Sequence, residues 1–175
     1  MLPRPEADES NETQLVVLGL GANLGDRLTT MVAATEALSE LAGLQLAGRS
    51  SVYQTAPAGG PPQPDYFNAA LSVRTRLAPI ELLQQALDIE RRLGRLRPDA
   101  IRWGPRRIDI DLLWMSQGDL DAPGLQVPHP RLCDRPFALV PLLELVPDAT
   151  DPRSGLRYDT LAAAQVPLPR IGELY

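Results

Sequence analysis

The spacing of apolar residues changes along this chain in a fixed order: strand, helix, strand, strand, helix, strand. Short apolar or alternating runs predict the strands, and apolar residues three and four apart predict the helices. The segments are, in chain order, Leu15–Gly21, Leu28–Leu41, Leu44–Thr55, Tyr66–Leu77, Pro79–Leu93 and Arg107–Met115, with a later helix at Pro136–Leu145. This order is typical of a ferredoxin-like βαββαβ fold. We therefore expect an α+β protein whose antiparallel sheet carries helices on one face and leaves the other face open to ligand, plus a C-terminal helical extension.

The remaining sequence predicts the domain organisation and the compartment. Residues 1–13 are polar and acidic, so we expect a disordered tail before a single domain over 14–175. Ala56–Asp65 is rich in Pro and Gly and is predicted to be a loop. No apolar run approaches the roughly 18 to 20 residues of a membrane span. The single Cys133 cannot form an intramolecular disulfide, which favours a cytoplasmic location.

All 17 basic residues are arginines, because the chain contains no lysine. A Walker A loop and a protein kinase each need a lysine at the phosphates, so both classes are excluded. Seven of the arginines lie between Arg91 and Arg107, where Asp99 is the only acid, although the chain has a net charge of −5. This concentration indicates a specific anionic ligand rather than general nucleic-acid affinity. The alternative is a solvated helix end, where positive charges interact favourably with the helix dipole.

Two carboxylates follow this arginine-rich stretch at strand spacing. Asp109 and Asp111 are two residues apart, so both project from one face of the predicted strand, while Ile108, Ile110 and Leu112 occupy the other face. Two adjacent carboxylates without a partner repel, and one of them is forced to take up a proton. A divalent cation removes that conflict, and Mg²⁺ is commonly bound by one or two carboxylates together with phosphate oxygens. The alternative is a solvated face of an amphipathic strand.

Five blocks of sequence together resemble the 6-hydroxymethyl-7,8-dihydropterin pyrophosphokinase family. The most specific block is Arg102–Leu113 (RWGPRRIDIDLL). The others are Gly19–Asp26 (GLGANLGD), Val52–Thr55 (VYQT), Pro64–Ala70 (PDYFNAA), and Val127–Arg131 (VPHPR) with Arg135–Phe137 (RPF). The similarity runs in the expected order over residues 16–145. It implies transfer of diphosphate from MgATP to the hydroxymethyl group of the reduced pterin, with release of AMP, in folate biosynthesis.

The same resemblance implies a role for individual residues. It assigns Asp109 and Asp111 to two Mg²⁺ ions that bridge the ATP phosphates, and Arg95 and Arg106 to the transferred diphosphate, which makes these four the candidate catalytic residues. The residues implied on the nucleotide side are Arg97, Arg102, Trp103, His129 and Arg135. Those implied in the pterin pocket are Thr55, Tyr66, Asn68 and Phe137. Offset stacking between two aromatic rings suits a planar heterocycle, so Tyr66 and Phe137 would sandwich the pterin.

The chain departs from the family pattern at two places. Pro130 follows His129 where a tyrosine or a small residue is more usual, and no lysine lies near Pro98. Neither position therefore offers the phosphates the side-chain donor that other members carry.

Two functions of other classes remain as alternatives. An RNA-binding module can share this sheet topology, but its strands carry closely spaced aromatic residues for base stacking, whereas this chain carries Asp109 and Asp111. A catalytically inactive ferredoxin-like domain that binds a small ligand is the second alternative, and the same carboxylates weigh against it. We expect a monomer that acts on small-molecule substrates and binds neither nucleic acid nor membrane.

Overall fold

The computed structural model describes residues 13–95 and 103–175 of the chain. The strands are β1 (Gln14–Ala22), β2 (Leu44–Arg49), β3 (Ser51–Thr55), β4 (Tyr66–Thr75), β5 (Asp109–Met115), β6 (Leu120–Ala122), β7 (Leu125–Val127) and β8 (Arg170–Glu173). The helices are α1 (Arg27–Ser39), α2 (Pro79–Arg92) and α3 (Pro136–Leu145), and short 3-10 helices lie at Leu132–Asp134, Tyr158–Thr160 and Ala162–Gln165. The protein is α+β with an antiparallel sheet, as the sequence predicts. Residues 1–12 of the predicted tail lie outside the described residues. Within the described part of the chain, no helix combines the length and the apolar character needed to cross a bilayer.

Strand β1 is an interior strand of the main sheet. It pairs antiparallel with β4 on one side and with β5 on the other. The strand order is β5-β1-β4-β3-β8, and β2 also pairs with β4. The single strand expected over Leu44–Thr55 is wrong, because the chain leaves the ladder at Ser50. The buried hydroxyl of Ser50 accepts a hydrogen bond from the Ala70 N–H at 2.7 Å, and the Ser50 N–H donates to the Ala70 carbonyl at 2.9 Å.

Helices α1 and α2 pack on one face of this sheet. Asp26 begins α1 by accepting a hydrogen bond from the Thr29 N–H at 3.1 Å. Pro79 begins α2. Proline is well tolerated there, because the N–H groups of the first helical turn have no hydrogen-bond acceptor within the helix. The apolar face of α2 meets alternate residues of β1, β4 and β5 in one core, whose buried members include Leu18, Leu71, Leu82, Ile89 and Ile110.

From the sequence we expected the other face of the sheet to be open. It is instead partly covered by α3 and the C-terminal segment. Helix α3 packs against β4. Leu139 and Leu142 of this helix, with Tyr158, are fully buried in a second core that includes Val17 and Leu113 of the sheet. The sheet can be covered twice because β1 and β5 carry apolar residues on both faces. Towards the start of β5 this second face carries polar residues instead, namely Asn68, Asp109 and Asp111.

Glu144 of α3 ties the helix to the start of β3. Its carboxylate accepts hydrogen bonds from the Ser51 N–H at 3.0 and 3.1 Å, the Ser51 hydroxyl at 2.7 Å and the Tyr53 hydroxyl at 2.9 Å. Ser51 is fully buried, so these bonds replace the water that its polar groups lose on folding.

We predict that Glu144→Ala lowers the free energy of unfolding by about 1 to 3 kcal/mol, because it leaves buried donors of Ser51 without an acceptor. Urea denaturation measures this change. The matched control is Glu173→Ala, since Glu173 pairs with Arg170 at the surface and its loss should cost less than about 1 kcal/mol. Equal changes in the two variants would contradict a structural role for Glu144.

Candidate active site

The two carboxylates of β5 lie on the second face of the sheet, at the start of the strand. Ile110, between them, is buried in the first core, as are Ile108 and Leu112 on either side. The strand alternation therefore holds Asp109 and Asp111 on one face, as the sequence predicts, while the apolar side chains anchor the strand.

Asp109 is bound by two arginines. Arg106 Nη1 donates to Asp109 Oδ2 at 2.7 Å, and Arg95 Nη1 donates to Asp109 Oδ1. Burial by itself raises the pKa of Asp109, but the charges and hydrogen bonds of the two arginines outweigh it and hold the pKa below its usual value. Asp109 is therefore paired within the protein, by contacts that the sequence analysis did not identify.

Asp111 lies in a different electrostatic environment. Burial, followed by the negative charge of Asp109, raises the pKa of Asp111 to about 7, and the positive charge of Arg135 only partly opposes this. Among the described residues, none donates a hydrogen bond to the Asp111 carboxylate. The charge of Asp109 is thus neutralised by two bound arginines, whereas no arginine is bound to Asp111 among the described residues.

The donor set of this pair fits a hard divalent cation. Within residues 13–95 and 103–175, no third His, Cys, Asp or Glu joins the two carboxylates in a metal-binding cluster. Mg²⁺ is typically held in proteins by one or two carboxylates, with water and phosphate oxygens completing its shell. A cation would also remove the repulsion that raises the pKa of Asp111. Asp109 and Asp111 therefore suit Mg²⁺ that arrives with a phosphate ligand.

Glu90 is a buried residue of the site that the sequence analysis missed. It is fully buried on α2, and its carboxylate accepts hydrogen bonds from Arg95 Nη1 at 3.0 Å and from the Ile110 N–H at 2.7 Å. Glu90 thereby fixes both the arginine that binds Asp109 and the strand segment between the two carboxylates. A signal was present, because Glu90 follows Ala86 by four residues and so lies on the buried stripe of the helix.

Asn23 is a second missed residue. It is 2% exposed and joins three segments of chain. Its Oδ1 accepts from the Arg106 N–H at 2.7 Å, and its Nδ2 donates to Gln63 Oε1 at 2.8 Å and to the Pro64 carbonyl at 3.1 Å. Its own N–H donates to the Arg106 carbonyl at 3.0 Å. Asn23 therefore sets the position of Arg106 relative to the loop at 56–65, a function that turn chemistry alone did not reveal.

A cleft of about 310 Å³, called here the first cleft, lies beside the arginines. All four residues implied for a planar heterocycle line it, together with three implied for phosphate or nucleotide. These residues are Thr55, Tyr66, Asn68 and Phe137, and Trp103, Arg106 and Arg135. Asn68 Nδ2 donates to Thr55 Oγ1 at 2.7 Å, and the Arg135 guanidinium lies 5.5 Å from the centre of the Phe137 ring. The first cleft thus combines two aromatic rings with an oriented amide.

Trp103 belongs to the first cleft, although the resemblance implied a place on the nucleotide side. Its backbone has a φ of 58°, which is strained for a bulky residue, and its side chain is 46% exposed. Gln63 Nε2 donates to the Trp103 carbonyl at 2.8 Å, and the indole ring packs so closely on Gly59 that a Cβ there would lie 3.1 Å from it. These contacts hold Trp103 against the 56–65 loop.

A second cleft, of about 470 Å³, is lined in part by Asp111. Its lining includes Leu83, Asp111, His129, Pro130 and the β6–β7 hairpin. Burial, followed by the charges of Arg135 and Arg131, lowers the pKa of His129 to about 4, so its imidazole is neutral at pH 7. Arg97 and Arg102, both implied on the nucleotide side, lie outside the described residues.

Comparisons with known proteins agree on one family. The family model described as 7,8-dihydro-6-hydroxymethylpterin-pyrophosphokinase matches residues 17–147. The chain is 43% identical over 155 residues to the 2-amino-4-hydroxy-6-hydroxymethyldihydropteridine pyrophosphokinase of Synechocystis, covering 89% of this chain and 78% of that protein. It is 42% identical over 131 residues to the protein of the same description in Methylorubrum extorquens, covering 75% and 82%.

Longer proteins share this region. The chain is 38% identical over 149 residues to the mitochondrial folate synthesis bifunctional protein of Pisum sativum, covering 85% of this chain and 28% of that protein. A crystal structure of Plasmodium falciparum HPPK-DHPS matches with a TM-score of 0.66 at 15% identity, covering 86% of this chain and 45% of that one. At this identity, the structural match supports the fold alone.

We predict that Glu90→Gln lowers the free energy of unfolding by about 3 kcal/mol, because it removes one charge of a buried ion pair while the buried Arg95 remains. The matched control is Asp88→Asn in the same helix, whose pair with Arg91 is exposed and should contribute less than about 1 kcal/mol. Chemical denaturation of both variants measures the difference. If Glu90→Gln cost no more than Asp88→Asn, the ionic cluster would not be what holds α2 to β5.

Proposed function

The chain belongs to the 7,8-dihydro-6-hydroxymethylpterin-pyrophosphokinase family, and from this premise we propose where its two substrates bind. It is a pyrophosphokinase of folate biosynthesis, which transfers diphosphate from ATP to the hydroxymethyl group of 6-hydroxymethyl-7,8-dihydropterin and releases AMP. In our proposal the pterin occupies the first cleft, ATP occupies the second, and the diphosphate passes between them at Asp109 and Asp111.

The observation that carries this proposal is that the carboxylate pair, together with the Arg106 that binds it, reaches both clefts. Arg106, which binds Asp109, lines the first cleft, whereas Asp111 lines the second. The transferred diphosphate has to contact both substrates at once. A border made of a carboxylate pair for cations and arginines for phosphate oxygens suits that requirement.

The lining of the first cleft supports pterin binding. Tyr66 and Phe137 offer the aromatic faces on which a planar ring gains offset stacking. Asn68 offers a donor and an acceptor for the amide-like edge of the pterin, and its bond to Thr55 fixes the direction of that amide. Trp103 also lines this cleft.

The surroundings of the second cleft support nucleotide binding. His129 is neutral at pH 7 and can donate one hydrogen bond to a phosphate without adding charge. The guanidinium of Arg135 acts on both Asp111 and His129 and supplies positive charge near the same border. Arg97 and Arg102 are also included among the proposed ATP contacts, and the only basis for this is the resemblance of the sequence to the family.

Members of this family use ATP as a substrate, which in general means MgATP. We propose that Asp109 and Asp111 hold two Mg²⁺ ions. When bound, the ions neutralise phosphate charge and orient the phosphates for displacement.

The residues of the chain contribute mainly positioning and electrostatic stabilisation. The hydroxymethyl oxygen of the pterin attacks the β-phosphorus of ATP in line, the bond from that phosphorus to the α,β-bridging oxygen breaks, and AMP leaves. Arg106 and Arg95 are held beside this path by Asp109 and Glu90. A guanidinium carries five donors in a planar fork, so each arginine can bind a carboxylate and a phosphate oxygen together.

Several expectations about the whole protein form part of the same proposal. We propose that residues 14–175 are a single domain, that the four long strand segments follow the ferredoxin-like arrangement, and that the protein is a cytoplasmic monomer without nucleic-acid or membrane partners. Membership of the family does not favour the RNA-binding or catalytically inactive alternatives.

We predict that Asp111→Asn lowers kcat by about a thousandfold or more, because it removes a ligand of a catalytic cation. The fold should persist, since none of the described residues donates a hydrogen bond to the Asp111 carboxylate. AMP release from MgATP and 6-hydroxymethyl-7,8-dihydropterin measures kcat. The control is Asp119→Asn, a surface acid paired with Arg153, which should keep wild-type turnover. A folded Asp111→Asn enzyme with kcat within about tenfold of wild type would exclude Asp111 as a ligand.

We predict that Tyr66→Ala and Phe137→Ala each weaken pterin binding about tenfold and leave ATP binding unchanged, because each removes one stacking face and its buried area. Calorimetry with 6-hydroxymethylpterin and with a non-hydrolysable MgATP analogue separates the two affinities. Phe67→Leu is the matched control, since Phe67 adjoins Tyr66 but packs against the first core. Equal losses for both ligands would show that the aromatic residues do not define a pterin site.

A further inference from the structure

The interior strand β1 carries a glycine between Asn68 on one neighbouring strand and Asp109 on the other. Gly21 is directly opposite Asn68 of β4 on one side and Asp109 of β5 on the other. Residues opposite one another in an antiparallel pair project to the same face. Gly21 therefore leaves a gap between the amide proposed to bind the pterin and the carboxylate pair.

Backbone conformation does not require glycine at this position. Gly21 is not among the residues with positive φ, and it sits in a regular, paired segment of β1. A glycine inside a strand normally weakens it, and one common reason for its presence is the close approach of another group. The reason for Gly21 therefore has to be found in its neighbours.

Those neighbours are two residues of the first cleft. A Cβ at Gly21 would lie 3.3 Å from Asn68 Oδ1 and 3.8 Å from Tyr66 Cδ1. The first distance is tighter than an ordinary Cβ contact, so Asn68 would have to move. Asn68 has little freedom to do so, because it is 5% exposed and its Nδ2 is bound to Thr55 Oγ1 at 2.7 Å. Pressure on Oδ1 would rotate the amide and disturb that bond.

We propose that Gly21 is a positioning residue for the pterin site: by lacking a side chain, it lets the Asn68 amide take the orientation that recognises the pterin. This inference rests on the proposed function, in which the first cleft binds the pterin. It adds that a residue of β1, outside the lining of the cleft, determines affinity for one substrate and not for the other.

Gly19 provides a matched control on the same strand and the same face. A Cβ at Gly19 would meet the Leu113 side chain at 3.0 to 3.2 Å, in the second core, and its three nearest atoms all belong to Leu113 rather than to Asn68. Gly19→Ala should therefore lower stability at least as much as Gly21→Ala while keeping the affinities for both substrates. A merely structural role of Gly21 would make the two variants alike.

The test is calorimetry of Gly21→Ala and Gly19→Ala with 6-hydroxymethylpterin and with a non-hydrolysable MgATP analogue. We expect Gly21→Ala to weaken pterin binding about tenfold, as for one misplaced buried hydrogen bond, with ATP affinity unchanged. Loss of both affinities together, or the same pterin loss in Gly19→Ala, would overturn the proposal.

A double variant checks the route of the effect. In an Asn68→Ala background the contact is absent, so adding Gly21→Ala should change neither pterin affinity nor melting temperature further. The double variant remains informative if Gly21→Ala alone fails to fold. In that event, Gly21→Ala/Asn68→Ala should be as stable as Asn68→Ala, because the contact with Asn68 has been removed. A full additional loss in that background would contradict action through Asn68. If wild-type protein bound no pterin and released no AMP, the proposed function itself would fail instead.

Discussion

The geometry of the site depends on one buried ionic cluster, in which Glu90 and Asp109 share Arg95 and Asp109 also binds Arg106. Charges taken out of water cost several kcal/mol each unless their partners are well placed. The end of α2 and the start of β5 are therefore held in a narrow range of positions. Because Glu90 also accepts from the Ile110 N–H, the same cluster fixes the backbone between the two candidate metal ligands.

This arrangement gives Asp109 and Asp111, which have the same side chain, different pKa values. The arginines keep the pKa of Asp109 low, whereas burial and the charge of Asp109 raise the pKa of Asp111 to about 7. The pair thus joins a carboxylate whose charge the arginines favour to one that gains most from a cation. Asn23 extends the network by tying Arg106 to the loop that forms a wall of the first cleft, so the segments proposed to bind phosphate and pterin are held by the same residue.

Local patterns in the sequence predicted the parts of this structure that depend on local spacing. The alternation around Ile110 placed Asp109 and Asp111 on one face, and Pro79 marked the first residue of α2. Long-range contacts could not be predicted in the same way. Asp109 pairs with Arg95, which in turn pairs with Glu90, and both of these residues are distant from Asp109 in sequence. The break at Ser50 depends on Ala70, and the coverage of the second face depends on how α3 packs.

Anomalous scattering from Mn²⁺ would test most directly whether the carboxylate pair holds cations at the border of the two clefts. Crystals would be grown with Mn²⁺, a non-hydrolysable ATP analogue and 6-hydroxymethylpterin. We expect two anomalous peaks, each within about 2 to 2.5 Å of carboxylate oxygens of Asp109 or Asp111, with the β-phosphate between them and the pterin in the first cleft. Peaks bound only to phosphate and remote from both carboxylates would contradict the site.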